Sequence, residues 1–253
     1  MVSCSELVQY LDALLNPESG IDDPSNNGLQ VQGTDAVRRA VFGVDACRAL
    51  FEVAVDADAA FVFVHHGLSW GGGIRTATGV PGERLRLLLA NGVSLYASHL
   101  PLDMHAEVGH NAVMARELQL GELRPFFKYH GTTIGWAGTL PQPSTPAAVA
   151  ARLTDLLGGA AKTVGEADRQ IHRLGIVSGG GADAVEDAAE AGIDCLVTGE
   201  FTHQHYHTAL EANVPVVVGG HYATETPGIR EVMARVQEQF GVDCAFVDLP
   251  TGL

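Results

Sequence analysis

Short apolar runs rich in β-branched and aromatic residues alternate with stretches of helical period along the whole chain. The run Phe61-Val62-Phe63-Val64 lacks polar alternation, and it predicts a strand buried on both faces. It stops abruptly on His65-His66-Gly67, followed by Leu68-Ser69-Trp70. Before it, Leu7, Val8, Leu11, Leu14 and Leu15 fall at helical spacing, with Ser5 as a candidate cap. Asp22-Asp23-Pro24-Ser25-Asn26-Asn27-Gly28 is a dense turn signal, and strands are predicted over 29–31 and 40–44, followed by a helix over 46–57. After the histidines, 69–82 is glycine-rich and reads as loop. A helix over 83–90, a strand over 93–98 and a helix over 105–118 follow.

The segment 121–172 differs in character. It holds a strand over 132–140 and a helix over 145–157, punctuated by Pro141, Pro143 and Pro146. From Arg173 the earlier rhythm resumes, with strands over 174–177, 195–197, 214–218 and 244–247 and helices over 183–191, 203–212 and 227–240. Strands alternating with helices of this length predict an α/β fold with largely parallel sheets. The expected organisation is two pseudo-repeated lobes, about 1–120 and 173–253, with 121–172 as a smaller edge or inserted unit.

The repeat carries the chemistry. In each lobe a strand ends on polar residues, and a later strand ends on histidine followed four positions on by an acid. These are His65-His66 with His99…Asp103, and Thr198-Gly199-Glu200 with His221…Glu225. If the lobes are related, these strand ends meet at one seam, at the carboxyl edge where α/β sheets bind ligands. The His-x-x-x-acid spacing puts two side chains on one helical face. Alone it is common on solvated helices, and Asp103 could simply cap the helix near His105.

The inventory is four imidazoles (His65, His66, His99, His221) and two carboxylates (Asp103, Glu225). Mixed nitrogen and oxygen donors suit Zn, Mn, Fe, Co or Ni rather than Ca or Mg. The set is too rich for one catalytic zinc with about three protein ligands, so two divalent ions are expected. Adjacent side chains on a regular strand point to opposite faces, so His65 and His66 are suited to neighbouring ions, with Gly67 free to turn. Glu200 and His207 are candidate catalytic or supporting groups, and His203 and His205 are weaker ones within the same histidine-rich stretch. Gly179-Gly180-Gly181 before a helix could receive a phosphate, but it lacks nucleotide-loop spacing. Arg75 and Arg230 read as surface arginines before anion contacts.

Charge narrows the partners. The formal net charge is −15, from 30 acidic against 15 basic residues, which opposes binding to nucleic acid or anionic membrane through phosphate neutralisation. No apolar run is long enough to span a bilayer. Four scattered cysteines without a C-x-x-C, and no basic leader, fit a cytoplasmic protein.

Taken in order, Asn26-Asn27-Gly28-Leu29-Gln30-Val31, Val64-His65-His66-Gly67, Ser98-His99-Leu100-Pro101-Leu102-Asp103, Thr198-Gly199-Glu200…His207 and Gly220-His221-Tyr222-Ala223-Thr224-Glu225 resemble one family. It is the NGG-one-interacting-factor-three-like family, also called GTP cyclohydrolase type-two homologues. The resemblance spans nearly the whole chain as a single family domain. It implies a dinuclear metal centre in a homo-oligomer, commonly a ring-shaped hexamer. Carried over by position, His66 and Asp103 would hold one ion, His65 and His221 the other, and Glu225 would bridge. His99 would then stand behind the ligands. The implied function is metal-dependent hydrolysis of a nucleotide or another phosphate-bearing small molecule. The competing expectation is a non-catalytic metal-binding regulator, chaperone or ring-shaped scaffold.

Overall fold

Strands Arg39–Asp45, Phe61–His66 and Ser94–Ala97 lie side by side and parallel, because their side chains interlock on both faces of one sheet. In register, Phe42 stands beside Phe63 and Phe63 beside Tyr96, with ring centroids 5.5 and 5.7 Å apart. The alternate positions Val41, Val62 and Leu95 turn to the other face, where they pack with Leu50, Phe51 and Ala54 of helix Arg48–Asp56 and Leu88 of helix Gly79–Ala90. Strand Gly28–Val31 closes one edge antiparallel, and Asp243–Phe246 closes the other parallel.

The computed structural model describes residues 1–16 and 20–253 and divides into two units. The first comprises Met1–Leu102 and Ile229–Leu249, and the second Asp103–Gly228 and Pro250–Leu253. The second unit has a six-stranded sheet. Its centre is the parallel trio Ile171–Val177, Cys195–Thr198 and Val216–Val218. The hairpin Gly121–Tyr129 and Thr132–Ser144 is added antiparallel on one side and Lys162–Val164 on the other. Its core gathers Met114, Val149, Leu153, Leu174, Ile176 and Val197. The architecture is therefore mixed α/β in two lobes, with parallel strands at the heart of the five- and six-stranded sheets. No helix among the described residues is long and apolar enough to cross a membrane.

Several elements depart from the sequence expectation for identifiable reasons. The first helix starts at Cys4, capped by Ser3 rather than Ser5. Ser3 Oγ accepts from Glu6 N while Ser3 N donates to Glu6 Oε2, a capping box that outranks the isolated Ser5. Helix Gly79–Ala90 begins four residues before 83, since Pro81 lies in its first turn, where no N–H is needed. Strand 121–129 was unforeseen because it is an exposed edge bearing Glu122, Arg124, Pro125 and Lys128, which hide a strand pattern. Its turn is His130-Gly131, both at positive φ.

The expected lobe limits also differ. Segment 121–172 does not stand apart, because its strands pair into the second sheet. Helix Thr226–Phe240 returns the chain to the first unit, where Asp243–Phe246 pairs with Arg39–Asp45.

Candidate metal centre

Strand Phe61–His66 runs through both histidines, with His66 still in register with Asp45. Alternation places His65 on the phenylalanine face and His66 on the valine face. Their ring centroids are nevertheless 4.7 Å apart, and His99, just past strand Ser94–Ala97, brings a third ring 5.0 Å from His65 and 5.7 Å from His66. One donor atom from each of the three lies within 4.8 Å of the others. Gly67 is not a positive-φ turn residue, contrary to its expected use. It is glycine because a Cβ there would collide with the Gln30 amide and lie 2.7 Å from Ala97 Cβ. That amide fixes the loop beyond, its Oε1 accepting from Leu68 N and Ser69 N.

Each ring is oriented through the same nitrogen. His65 Nδ1 is 2.8 Å from the Ser98 carbonyl, His66 Nδ1 is 2.9 Å from Asp45 Oδ1, and His99 Nδ1 is 2.7 Å from Asp23 Oδ1. Carbonyls and carboxylates only accept, so Nδ1 carries the proton in all three. In its neutral form a ring held this way presents its Nε2 lone pair, the form a metal-ligating histidine needs. Asp23 is itself built in, with 2 % of its side chain exposed. It accepts from Ser25 N, Asn27 Nδ2 and Leu100 N besides His99. Burial alone would raise its pKa; the hydrogen bond and charge of His99, with those of Asn27 and Ser25, outweigh it and hold the carboxyl below its ordinary value.

The second unit brings together His221, Glu225 and Glu200. His221 opens the four-residue helix His221–Thr224, and Glu225 is the residue that ends it. The i, i+4 spacing places His221 Nε2 3.1 Å from the buried Glu225 Oε1. On the far side of the ring Nδ1 is 2.8 Å from Glu200 Oε1. The Glu225 hydrogen bond, opposed by burial and aided by the charges of Glu225 and Glu200, pushes the His221 pKa up to about 9. The arrangement therefore favours positive charge at Nε2, as a proton or as a metal ion.

Asp103 does not cap a helix, since the helix after it begins at His110 with Gly109 before it. It is buried, and its Oδ1 accepts from Ser178 Oγ at 2.9 Å. Asn111 ties this pair down, taking Ser178 N on its Oδ1 and donating Nδ2 to the Ile134 carbonyl.

Other candidates fall elsewhere. Gly179 N donates to Thr224 Oγ1 and Gly181 N to Thr198 Oγ1, so this glycine run does not offer those amides to a phosphate. His207 is exposed and packs its ring against Tyr206. His205 joins Thr202 and Asp183 at a helix junction, and His203 is exposed. Arg230 lies over the Phe246 ring.

Sequence reasoning missed Asp45, Asp23, Ser178, Asn111 and His110. His110 is fully buried, and Gly228 N donates to its Nδ1 at 3.0 Å. With Nδ1 accepting there, the neutral form of the ring carries its proton on Nε2. The only advance signal for Asp23 and Asn27 was the turn-rich stretch 22–28, whose side chains serve His99 as well as the turn.

Comparison with known proteins places these residues in context. Residues 2–251 match the family model described as Duf34/NIF3 (NGG1p interacting factor 3). A Deinococcus radiodurans protein named GTP cyclohydrolase 1 type 2 homolog is 42% identical over 248 residues, covering 98% of this chain and 94% of the relative. A Pyrococcus horikoshii protein of the same name is 41% identical over 249 residues, covering 98% of each. Among solved structures, TTHA1606 from Thermus thermophilus shares 39% identity with a TM-score of 0.89 over 100% of both chains. Reduced HcgD from Methanocaldococcus jannaschii shares the fold, at 23% identity and a TM-score of 0.86 over 98% of each chain.

Proposed function

The chain belongs to the Duf34/NIF3 family, and from that premise we propose that it is a dinuclear-metal protein acting as a hydrolase of a phosphate-bearing small molecule. In this reading, carried over from the family resemblance, His66 and Asp103 would hold one divalent ion, His65 and His221 would hold the other, and Glu225 would serve both. The observation that carries it is the shared orientation of the imidazoles. Four histidines each turn Nδ1 to an oxygen acceptor: Ser98 O, Asp45, Asp23 and Glu200. Polar residues placed only to fill a core would have no reason to aim the same nitrogen at an oxygen.

The donor chemistry fits borderline divalent ions such as Zn, Mn, Fe, Co or Ni. Bound there, such ions would supply Lewis acidity for hydrolysis at neutral pH. The chain's own groups set the geometry. Asp45 and Glu200 hold the rings of His66 and His221, and Ser178 holds the Asp103 carboxylate. Glu200 is thereby a positioning residue rather than a free proton carrier. The curated relatives' name points to GTP as a first substrate to try. Incubating the metal-loaded protein with GTP and following loss of the imidazole ring tests the reading. Turnover that Glu225→Ala removes supports it, and no turnover with any nucleotide tried counts against it.

One observation favours the non-catalytic alternative, a metal-binding regulator, chaperone or scaffold. Neither proposed proton carrier is suitably placed: Glu200 is engaged with His221, and His207 is an exposed ring on Tyr206. Under that view chelation lowers the melting temperature while no turnover is there to be lost. The family resemblance also leads us to propose a homo-hexamer, which light scattering would read directly as about six times the chain mass.

A further inference from the structure

Trp70 is not a core residue. It is 37 % exposed although it directly follows the buried histidine strand and its short loop. The exposure does not come from a loose segment. Ser25 and Trp70 form a bridge, Asn26 N donates to the Ser69 carbonyl, and Gly71 N donates to the Pro24 carbonyl. The indole itself is pinned, since Nε1 donates to the Gly67 carbonyl at 2.8 Å. It meets His99 edge to face with centroids 5.2 Å apart and lies 6.1 Å from His66.

A tryptophan whose only polar atom is already satisfied has nothing but its π surface to offer a ligand. Held rigid before binding, that surface loses little entropy on stacking. We propose that Trp70 is a substrate-recognition residue, a platform on which a planar heterocyclic ring stacks beside the histidine cluster. This deepens the hydrolase reading and rests on it only for the metal: it makes the substrate a phosphate ester bearing a flat nitrogen heterocycle, not a sugar phosphate alone. A stacking contact of this kind tolerates different bases, because each has a π face.

The test compares guanosine 5′-monophosphate and adenosine 5′-monophosphate with ribose 5-phosphate, by calorimetry on the metal-loaded full chain. The native protein should hold both nucleotides on the order of tenfold or more tighter than the sugar phosphate. Trp70→Ala should erase that gap with metal content unchanged, and Trp70→Phe should keep most of it. Nucleotide should also quench the native tryptophan fluorescence, leaving the Trp136 emission of Trp70→Phe unaffected. No gap in the native protein, or a gap that survives Trp70→Ala, overturns the inference. If the native protein instead binds no metal, the metal reading fails whatever the nucleotides do.

Discussion

At the scale of single residues, the centre depends on acceptors behind the histidines as much as on the histidines. Asp45→Asn keeps the shape but offers His66 Nδ1 an amide in place of a carboxylate acceptor. Loss of such a partner typically weakens metal affinity about 10–100-fold. The expected result is therefore a weaker metal isotherm in competition with a chelating dye, with an unchanged circular dichroism spectrum. Unaltered affinity would show that the carboxylate does not tune the ring. Asp23 gives a pH prediction. Its pKa is depressed on folding, so its contribution is fully present above the ordinary aspartate value and is lost as pH falls through the folded one. Native protein should thus lose thermal stability on acidification below about pH 4, and Asp23→Asn should flatten that part of the profile. A profile that the substitution leaves unchanged would contradict the assignment.

At the scale of elements, the strand ends were legible and their supports were not. Phe61-Val62-Phe63-Val64 announces a two-sided core strand, and the four histidine and acid motifs announce a polar edge. Asp45, Ser178 and Asn111 could not be read, because their roles come from neighbours far along the chain: Asp45 lies 21 positions from His66, and Ser178 lies 75 from Asp103. The pairing of Asp243–Phe246 with Arg39–Asp45 was equally invisible, since local periodicity says nothing about which sheet a strand joins. Gly179 shows how an element's end serves the site. At φ +59° it passes under the Glu225–His221 pair, and a Cβ there would collide with Glu225 Oε1 and lie 3.2 Å from His221 Nε2. Gly179→Ala should cost at least about 1 kcal/mol from the left-handed backbone alone and reduce bound metal. Thermal melts together with metal analysis check both.

At the scale of the molecule, two mixed α/β units carry ligand-type side chains at the ends of their parallel strands, within an acidic chain of formal net charge −15. Divalent cations would offset part of that charge and, binding only the native state, would stabilise it. At a free concentration 100 times the dissociation constant the gain is about 2.7 kcal/mol, or on the order of 5–10 °C for a chain of this size. Chelation should lower the melting temperature by that much, and readdition of metal should restore it. The central claim is tested most directly by elemental analysis of protein purified without chelators and dialysed against metal-free buffer. The account predicts about two transition-metal ions per chain, falling to one or fewer in Glu225→Ala. A native value near zero, with no uptake when Zn or Mn is supplied, would contradict it.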